Sequence, residues 1–317
     1  MTNVCVVILN YGTPALTISC AESVLSDLGQ VDGEVIIVDN ASPDDSFDQF
    51  AAWHDSKPKS APIKLVRSEN NGGYSSGNNQ GIKAGNADFF VLANSDTVVK
   101  PDALKVLINQ MRADPKIGIL GPQLLGPEGN PIISRFRHLT PFGEFLRATG
   151  MKFFFDRFPR HVIPVEDHEP ESAMQWVGFP FIMFRRSMIE EIGLLDERYF
   201  MYFEDSAYCR RASAHGWRIA HCKEAVVQHF CGQSSKVEDR AAANKRLPAY
   251  YYASRARYLI SHYGRRGFVA ANLFWYLGRC VSYLRLLALK SPNKACAGQA
   301  NDIWIGPNED HRVAVST

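Results

Sequence analysis

The sequence predicts an α/β fold in which a mostly parallel sheet is flanked by helices and followed by a C-terminal helical region. Through the first 120 residues, short runs of β-branched and other apolar residues alternate with helical patterns. This alternation is typical of βαβ units with right-handed crossovers. Between Arg240 and Lys294 the chain becomes basic and helical in pattern, so a distinct C-terminal region is expected.

Four apolar runs are predicted as strands, because unbroken apolar runs of this length are typical of strands buried on both faces. They are Val4–Leu9, Val35–Val38, Ile63–Val66 and Phe89–Leu92. Helices are expected to begin at Pro14, Pro43 and Pro101, since proline suits the first helical position. The first two follow potential caps, Thr13 and Ser42, and the third leads into Leu104, Leu107, Ile108 and Met111 at helical spacing.

The later part of the chain is less regular. Residues from about 121 to 172 are rich in Pro, Gly, Phe and Arg and are predicted as a long excursion covering the site. An apolar stretch, Gln175–Phe184, precedes a predicted helix through Met188 and Ile192, and Ala225–Val227 is predicted as a short late strand. The predicted domains are 1–235 with halves at about 1–120 and 121–235, a basic amphipathic helical region over 236–295, and a tail over 296–317.

Composition narrows the class of protein. A content of 46% hydrophobic residues supports a substantial core rather than disorder. The seven cysteines are scattered and never spaced as CxxC, which argues against a disulfide framework or a zinc knuckle and predicts a reducing compartment. The N-terminus enters an apolar segment without a basic region or cleavage site, so no signal peptide is expected.

Polar clusters follow the predicted strands, at the edge of a parallel sheet where ligands bind. They are Asn10-Tyr11, Asp39-Asn40, Asn70 and Asn94-Ser95-Asp96. Asp96 could ligate a hard divalent cation that bridges a diphosphate, although Asn, Ser and Asp also favour turns and helix caps. Asp39 is placed to accept a hydrogen bond from a nucleobase or ribose, and Tyr11 is placed to stack on a base. Either residue could equally be a capping acid or an aromatic side chain at the edge of the core.

A glycine-rich segment runs from Asn70 through Gly73 to Asn78 and opens a predicted helix. Glycines let backbone approach a ligand, and helix N-termini favour anions. The segment lacks the GK[ST] of a Walker A loop and a clean GxGxxG. It is equally compatible with a glycine-rich turn carrying Asx caps.

A pair of acids, Glu204-Asp205, stands among aromatic residues. Partial desolvation would raise a carboxylate pKa toward the range of a general base, whereas acids at a helix start would simply complement the dipole. His229 could be a metal or phosphate ligand or a structural histidine. Trp176 and Gly178 could form an acceptor wall or ordinary core packing.

Taken in order, these motifs resemble the inverting GT-A glycosyltransferases of family 2, particularly their rhamnosyltransferase-like bacterial branch. The resemblance covers roughly residues 3–235 and rests on seven motifs, each weak alone and specific in this order. They are Val6–Tyr11, Val38–Ser42, Asn70–Tyr74, Leu92–Asp96, Trp176–Gly178, Tyr202–Asp205 and His229.

The resemblance implies a role for each matching position. Asp205 would be the catalytic base with Glu204 as its neighbouring acid, while Asp96, the last acid of the DXD pattern, would hold Mg²⁺ or Mn²⁺ close to His229. The implied donor is a dTDP- or UDP-sugar, and Trp176 and Gly178 would face the acceptor. The implied nucleotide-sugar-binding residues are Asn10, Tyr11, Asp39, Asn40, Asn70, Gly73, Asn78, Asn94 and Ser95. Asn94 stands where the DXD pattern has its first acid, and Asn is often found at this position in this branch. The resemblance therefore implies that the ion would depend more on phosphate oxygens.

The C-terminal region is strongly basic. From Arg240 to Lys294 there are eleven Lys or Arg and no Asp or Glu. The whole chain has a net charge of +2, so the residues outside this stretch carry about −9. The stretch from Gly267 to Leu289 is apolar with internal arginines, which suits a helix lying on an anionic membrane better than one crossing it. A helical subdomain with a solvated basic face is the alternative. No nucleic-acid-binding motif accompanies this charge.

The predicted activity is transfer of L-rhamnose or another hexose to a hydroxyl of a cell-surface polysaccharide or a lipid-linked precursor. The expected location is cytoplasmic, peripheral at the inner face of the plasma membrane. A nucleotidyltransferase would carry a basic glycine-rich loop after the first strand, and Asn10–Thr13 lacks it. Asn94 motivates a pseudoenzyme or assembly partner as the alternative, and the intact Glu204-Asp205 pair argues against it. The sequence leaves the oligomeric state open.

Overall fold

A computed structural model of the chain describes residues 2–29, 31–230, 237–289 and 295–308. These residues divide into two compact units. The first takes the described residues within 1–134, 176–200 and 204–235, and the second those within 135–175, 201–203 and 236–317. This division groups 135–175 with the C-terminal helices, whereas the sequence counts them in the first domain. The predicted domain boundaries therefore stay a prediction.

The strands of the described chain confirm the α/β class. They are β1 (Thr2–Asn10), β2 (Gly33–Asp39), β3 (Ile63–Arg67), β4 (Ala87–Asn94), β5 (Thr97–Val99), β6 (Ile117–Leu125), β7 (Arg135–Phe136), β8 (Trp176–Val177), β9 (Phe181–Arg185) and β10 (Arg218–His229). Among the described residues, eight of them form one sheet in the order β3-β2-β1-β4-β9-β6-β10-β5.

The sheet is mostly parallel, and its antiparallel pairs all involve β9 or β5. β1 pairs in parallel with β2 and with β4, β2 with β3, and β6 with β10. β9 runs antiparallel between β4 and β6, and β5 runs antiparallel to β10. The parallel register aligns Asn10 with Asp39 and Leu9 with Asn94, so the carboxyl ends of three strands meet at one edge.

Helices cover the sheet and build the second unit. They are α1 (Pro14–Leu28), α2 (Ser46–Asp55), α3 (Gly73–Ala84), α4 (Ala103–Ala113), α5 (Pro141–Thr149), α6 (Lys152–Arg157), α7 (Arg186–Ile192), α8 (Glu204–Ala214), α9 (Val237–Ala242), α10 (Ala249–Leu289) and α11 (Gln299–Asp302). The helix predicted through Met188 and Ile192 is confirmed as α7. The core of the first unit contains the apolar strand residues together with buried side chains of α1 and α4.

Several sequence predictions need correction. α2 begins at Ser46 rather than Pro43, because the hydroxyl of Ser42 is engaged with Asp39 and Asp44 accepts from the backbone nitrogen of Ser46 instead. α4 begins at Ala103, two residues after Pro101. The predicted short strand at Ala225–Val227 is the end of the twelve-residue β10.

The stretch predicted as irregular contains regular structure. It begins inside β6, a strand that the sequence analysis missed because Gly and Pro interrupt its apolar run. It also contains α5, which starts at Pro141 behind Thr140, whose hydroxyl accepts from the backbone nitrogen of Gly143. The composition of this stretch suggested loops, but the cap at Thr140 and the buried side chains of α5 stabilise a helix.

The second unit is built on the long α10, which is broken at Gly264, where φ is 68°. No helix within the described residues has the length and hydropathy needed to cross a bilayer. Ile303, in the predicted tail, is fully buried, and Asp302 pairs with Arg246 at 2.8 Å. The tail after residue 308 and the predicted apolar side chains of Leu286, Leu287 and Leu289 lie outside the described part.

Candidate active site at the carboxyl ends of the parallel strands

Asn10 links the carboxyl ends of β1 and β2 through side-chain hydrogen bonds. Its amide nitrogen donates to Asp39 Oδ1 at 2.9 Å and to the hydroxyl of Ser42 at 2.9 Å. Its amide oxygen accepts from the hydroxyl of Thr17 at 2.8 Å and from the backbone nitrogen of Thr13. Asn10 is fully buried and its contacts are within the protein, so its visible role is to hold Asp39 in place. Nucleotide-sugar binding by Asn10 and Asp39 stays a prediction.

Two predicted nucleotide-site residues are accessible beyond these strands. Tyr11, the first residue after β1, is 36% exposed, so its ring can be reached by a base. Asn70 is exposed in the loop before α3. Neither forms part of the core, which leaves both free of an obvious packing role.

Asn40 ties the end of β2 to the start of α3. Its amide nitrogen donates to Asn71 Oδ1 at 2.9 Å and to the carbonyl of Gly73 at 3.1 Å. Its own Oδ1 and the Oδ1 of Asn78, both buried, have no hydrogen-bond partner among the described residues. Buried polar atoms normally have partners. These two acceptors therefore mark where a donor from a ligand or water would fit.

The glycines of α3 have a packing reason. A Cβ added to Gly77 would lie 2.4 Å from Leu9 Cδ1, and one added to Gly81 would lie 2.2 Å from Val7 Cγ1. A Cβ on Gly73, whose φ is 80°, would lie 2.0 Å from the carbonyl oxygen of Phe200. The helix thus packs directly on β1 through its glycines, and ligand contact by Gly73 stays a prediction.

The Asn94-Ser95-Asp96 cluster forms the turn between β4 and β5. The backbone nitrogen of Asn94 donates to the carbonyl of Pro180 at 2.8 Å, and Ser95 shares a hydrogen bond of 2.9 Å with the hydroxyl of Thr13. Asp96 is 1% exposed, and its Oδ1 lies 3.3 Å from His229 Nε2. The structure therefore brings together the two residues predicted to lie at the metal.

Asp96 and His229 suit one side of a divalent cation. A buried carboxylate beside an imidazole offers oxygen and nitrogen ligands, which Mn²⁺ accepts, while Mg²⁺ usually combines one or two carboxylates with phosphates and water. Among the described residues, no group of three or more His, Cys, Asp or Glu side chains is placed to hold a metal ion. The donor diphosphate and water would have to supply the remaining ligands.

Glu204 and Asp205 begin α8 and form the predicted acidic pair. Asp205 is half-buried, and its Oδ1 accepts from the backbone nitrogen of Ser206 at 2.7 Å. Burial raises the pKa of Asp205 to about 7. Burial, reinforced by the charge of Asp205, raises the pKa of Glu204 well above its ordinary value. The pair therefore carries at most one negative charge near neutral pH, and Asp205 is the member that ionises more readily.

Tyr74 is a buried residue whose pKa responds to the acidic pair, and the sequence analysis did not single it out. Its hydroxyl donates to the carbonyl of Phe179 at 2.7 Å, and its backbone nitrogen donates to the carbonyl of Phe200. Burial, and then the charges of Glu204 and Asp205, raise the pKa of Tyr74 well above its ordinary value. A buried tyrosine inside a glycine-rich motif was the available signal.

Asn79 is a second missed residue. Its amide nitrogen donates to the carbonyl of Leu195 and to Glu197 Oε1, each at 2.9 Å, and its amide oxygen accepts from the backbone nitrogen of Leu195. It thereby anchors to α3 the loop that leads toward Glu204. Only the fold could reveal this, since the partners are far apart in sequence.

The predicted acceptor residues lie next to the same network. The backbone nitrogen of Gly178 donates to the carbonyl of Ser134 at 3.0 Å, and Gly178 directly precedes Phe179, the partner of Tyr74. Trp176 is half-buried. Their contact with an acceptor stays a prediction.

The sheet and its polar edge define an α/β protein of the GT-A fold. The family model described as Glycosyl transferase family 2 matches residues 5–193. The chain belongs to glycosyl transferase family 2.

Curated relatives agree with this assignment. Over 202 residues, 62% of the chain, it is 27% identical to the low-salt glycan biosynthesis hexosyltransferase Agl10 of Haloferax volcanii, of which 58% is covered. Over 198 residues, 60% of the chain, it is 28% identical to an N-acetylglucosaminyl-diphospho-decaprenol L-rhamnosyltransferase of Mycobacterium tuberculosis, of which 60% is covered. The matches thus span about three-fifths of the length of these relatives.

Solved structures support the fold. A mannosyltransferase from Pyrobaculum calidifontis, in complex with GDP-Man and Mn²⁺, superposes with a TM-score of 0.57 at 16% identity, covering 90% of this chain and 76% of that one. S. aureus TarS 1–349 in complex with UDP superposes with a TM-score of 0.50 at 14% identity, covering 92% and 76%. At these identities the likeness is one of fold.

Proposed function

We propose that the protein is an inverting glycosyltransferase that moves a hexose from a nucleotide-sugar to an acceptor hydroxyl. The observation that carries this proposal is the acidic pair at the start of α8, in which Asp205 has a pKa raised by burial to about 7. A carboxylate with a raised pKa is a stronger base than an ordinary aspartate and is still ionised in part at neutral pH. Membership of family 2 and the GT-A fold supply the context.

In this proposal Asp205 accepts the proton of the acceptor hydroxyl while that oxygen bonds to the anomeric carbon. The bond from that carbon to the nucleoside diphosphate breaks on the opposite face, so the anomeric configuration inverts. Glu204 stays protonated, because its pKa is raised further than its neighbour's by burial and by the charge of Asp205. A single base suffices, and no carboxylate nucleophile is required.

Asp96 and His229 are the proposed protein ligands of Mg²⁺ or Mn²⁺. Their placement 3.3 Å apart at the strand edge supports the assignment. When bound, the ion would neutralise charge on the leaving diphosphate. Since Asn94 is uncharged, the protein contributes one carboxylate there, and we expect ion binding to be tighter with donor present.

We propose a dTDP- or UDP-sugar as the donor, L-rhamnose or another hexose as the sugar, and a surface glycan or lipid-linked precursor as the acceptor. The rhamnosyltransferase and hexosyltransferase relatives support the sugar class. The name of the mycobacterial relative includes a diphospho-decaprenol acceptor, which supports a lipid-linked precursor.

We further propose that the protein works on the inner, anionic face of a membrane. Support comes from α10, where Val269, Leu273, Leu277 and Leu284 are between 42% and 64% exposed. Spacings of four, four and seven residues place them on one helical face. Arg265 and Arg266 precede them and are exposed. An apolar stripe with adjacent arginines is the composition of an interfacial helix.

The deciding experiment incubates the purified full chain with UDP-, dTDP- and GDP-sugars, Mg²⁺ or Mn²⁺, and lipid-linked or glycan acceptors. Release of nucleoside diphosphate should depend on acceptor, and NMR of the product should show the opposite anomeric configuration from the donor. No release above background with any donor would refute transferase activity, and a retained configuration would refute the inverting mechanism.

A further inference from the structure

An exposed arginine stands at the carboxyl end of β3, beside the strand-edge site. Arg67 is the last residue of this strand, and the parallel register places it directly opposite Asp39, the last residue of β2. Within the described part of the chain, Arg67 forms no ion pair. Ligands bind at this edge of a parallel sheet, so Arg67 lies where a donor nucleotide would approach.

Arg67 and Asp39 are held by different partners. The guanidinium carbon of Arg67 lies 5.1 Å from the ring centroid of Phe47, in the first turn of α2, which is a cation–π arrangement. Asp39 accepts hydrogen bonds from Asn10 and Ser42, and both go to Oδ1. Opposite charges on neighbouring strands attract each other, yet these two do not pair. The guanidinium of Arg67 and Oδ2 of Asp39 are therefore both left for a ligand.

These two groups have complementary hydrogen-bonding capacities. A carboxylate only accepts, whereas a guanidinium only donates. Uracil and thymine carry a donor, N3–H, next to an acceptor, O4. Cytosine has the reverse pattern, an unprotonated N3 next to an amino group. An acceptor from Asp39 beside a donor from Arg67 therefore matches uracil and thymine and mismatches cytosine.

The strand order gives the base an orientation. Asp96, the proposed metal ligand, follows β4, whereas Asp39 ends β2 and Arg67 ends β3, in the sheet order β3-β2-β1-β4. A nucleotide with its diphosphate at Asp96 and its base at Asp39 would run across the strand ends from β4 toward β3. Its ribose, attached to N1, would lie on the β1 side of the base. The carbonyl at C4, on the opposite side of the ring from N1, would then point toward Arg67.

We propose that Arg67 determines nucleotide specificity by donating a hydrogen bond to O4 of the donor's pyrimidine base, while Asp39 accepts from N3–H. Phe47 is the positioning residue that holds the guanidinium at the strand edge. This inference rests on the proposed function, because it takes a dTDP- or UDP-sugar as the donor. It adds a residue outside the motifs from which the nucleotide site was predicted.

Isothermal titration of the full chain with UDP, dTDP and CDP in one Mg²⁺ buffer tests the inference. The wild type should bind UDP and dTDP more tightly than CDP. Arg67→Gln should weaken UDP and dTDP binding about tenfold, the loss of one charged hydrogen bond, and change CDP binding little. Phe47→Leu keeps the arginine and removes the ring beside it, so a smaller loss in the same direction is expected. Arg112→Gln is the matched control, since Arg112 is exposed and donates to Asn3, near the amino end of β1.

The outcomes separate this inference from the proposed function. Unchanged UDP affinity in Arg67→Gln would overturn the inference alone, even where the wild type transfers sugar from a UDP- or dTDP-sugar. An equal loss for UDP and CDP would also overturn it, because the diphosphate is what these nucleotides share. A selective loss for UDP and dTDP, at the melting temperature of the wild type, supports it even where no acceptor is glycosylated. A wild type that binds none of the three would refute the proposed donor as well.

Discussion

At the residue scale, the acidic pair proposed to carry the chemistry directly follows strained backbone. Tyr202 and Phe203, which precede Glu204, have φ values of 69° and 68°. Bulky residues avoid this left-handed region at a cost of about 1–2 kcal/mol each. Strain of this kind is retained where surrounding structure enforces it, often at functional sites. We infer that the segment is held in this conformation to present Glu204 and Asp205.

Asp205→Asn should abolish transfer while leaving donor binding largely intact, because the amide cannot accept the acceptor proton. The measurements are turnover with the best donor and titration of the donor nucleotide. Asp88→Asn, an exposed acid on β4, is the matched control and should keep full activity. Equal turnover in Asp205→Asn would remove Asp205 from the role of base.

The raised pKa of Asp205 also predicts the pH dependence. Because the carboxylate must be ionised to act as a base, the transfer rate should rise with pH through about 7 and level off above it. A pH–rate profile between pH 5 and 9 measures this. A rate that is already maximal at pH 5 would contradict it.

Glu204→Gln should stabilise the fold more at high pH than at low pH. The folded-state pKa of Glu204 is raised, so the folded state binds more protons than the unfolded state and stability is lost as pH rises above the ordinary glutamate range. Glutamine cannot ionise, so the variant does not lose folding stability in this way as pH rises. Melting temperatures of both proteins from pH 5 to 9 should diverge as pH rises, and a constant difference would argue against a buried neutral Glu204.

At the scale of elements, α3 positions the site by lying close on β1. The glycines at 77 and 81 bring the helix backbone against Leu9 and Val7, and its first turn then reaches Asn40 and Phe200. Glycine in a helix interior lowers helix propensity by roughly 0.5–1 kcal/mol. The close approach explains why glycine is used here in spite of that cost.

Gly81→Ala should destabilise the protein by about 1–3 kcal/mol, the usual effect of overpacking. The new Cβ would lie 2.2 Å from Val7 Cγ1, and the gain in helix propensity only partly offsets this clash. Melting temperature is the measurement. Gly306→Ala is the control, since no heavy atom lies within 4 Å of its added Cβ. Equal melting temperatures for the two variants would refute the close packing.

At the scale of the whole molecule, charge is divided along the chain. The stretch from Arg240 to Lys294 holds eleven basic residues and no acidic ones, while the rest of the chain is net negative. Electrostatic attraction to an anionic surface is therefore concentrated in the part that also exposes the apolar stripe of α10. Together they support the proposed peripheral contact with a membrane.

Replacing Leu273 and Leu277 by glutamine should weaken binding to vesicles of phosphatidylglycerol, and added salt should weaken it further. Sedimentation with vesicles measures both effects. Ile133→Gln is the control, because Ile133 is an exposed apolar residue of the first unit. Unchanged vesicle binding by the double variant would assign the stripe to another partner.

The sequence by itself determined the class of fold and most of the candidate site residues. The runs Val4–Leu9, Val35–Val38, Ile63–Val66 and Phe89–Leu92 all became strands, because a buried strand needs only a local apolar run. The order of short motifs was enough to indicate family 2. Apolar runs and short motifs depend only on neighbouring residues, so they can be identified from a single sequence.

Only the tertiary structure decided which distant residues meet. Asp96 faces His229 because β10 runs antiparallel to β5. Tyr74 reaches the carbonyl of Phe179, 105 residues further along the chain. β9 enters the sheet antiparallel, although its sequence is as apolar as that of a parallel strand. Strand order and direction depend on the packing of the whole chain, so a local apolar pattern does not predict them.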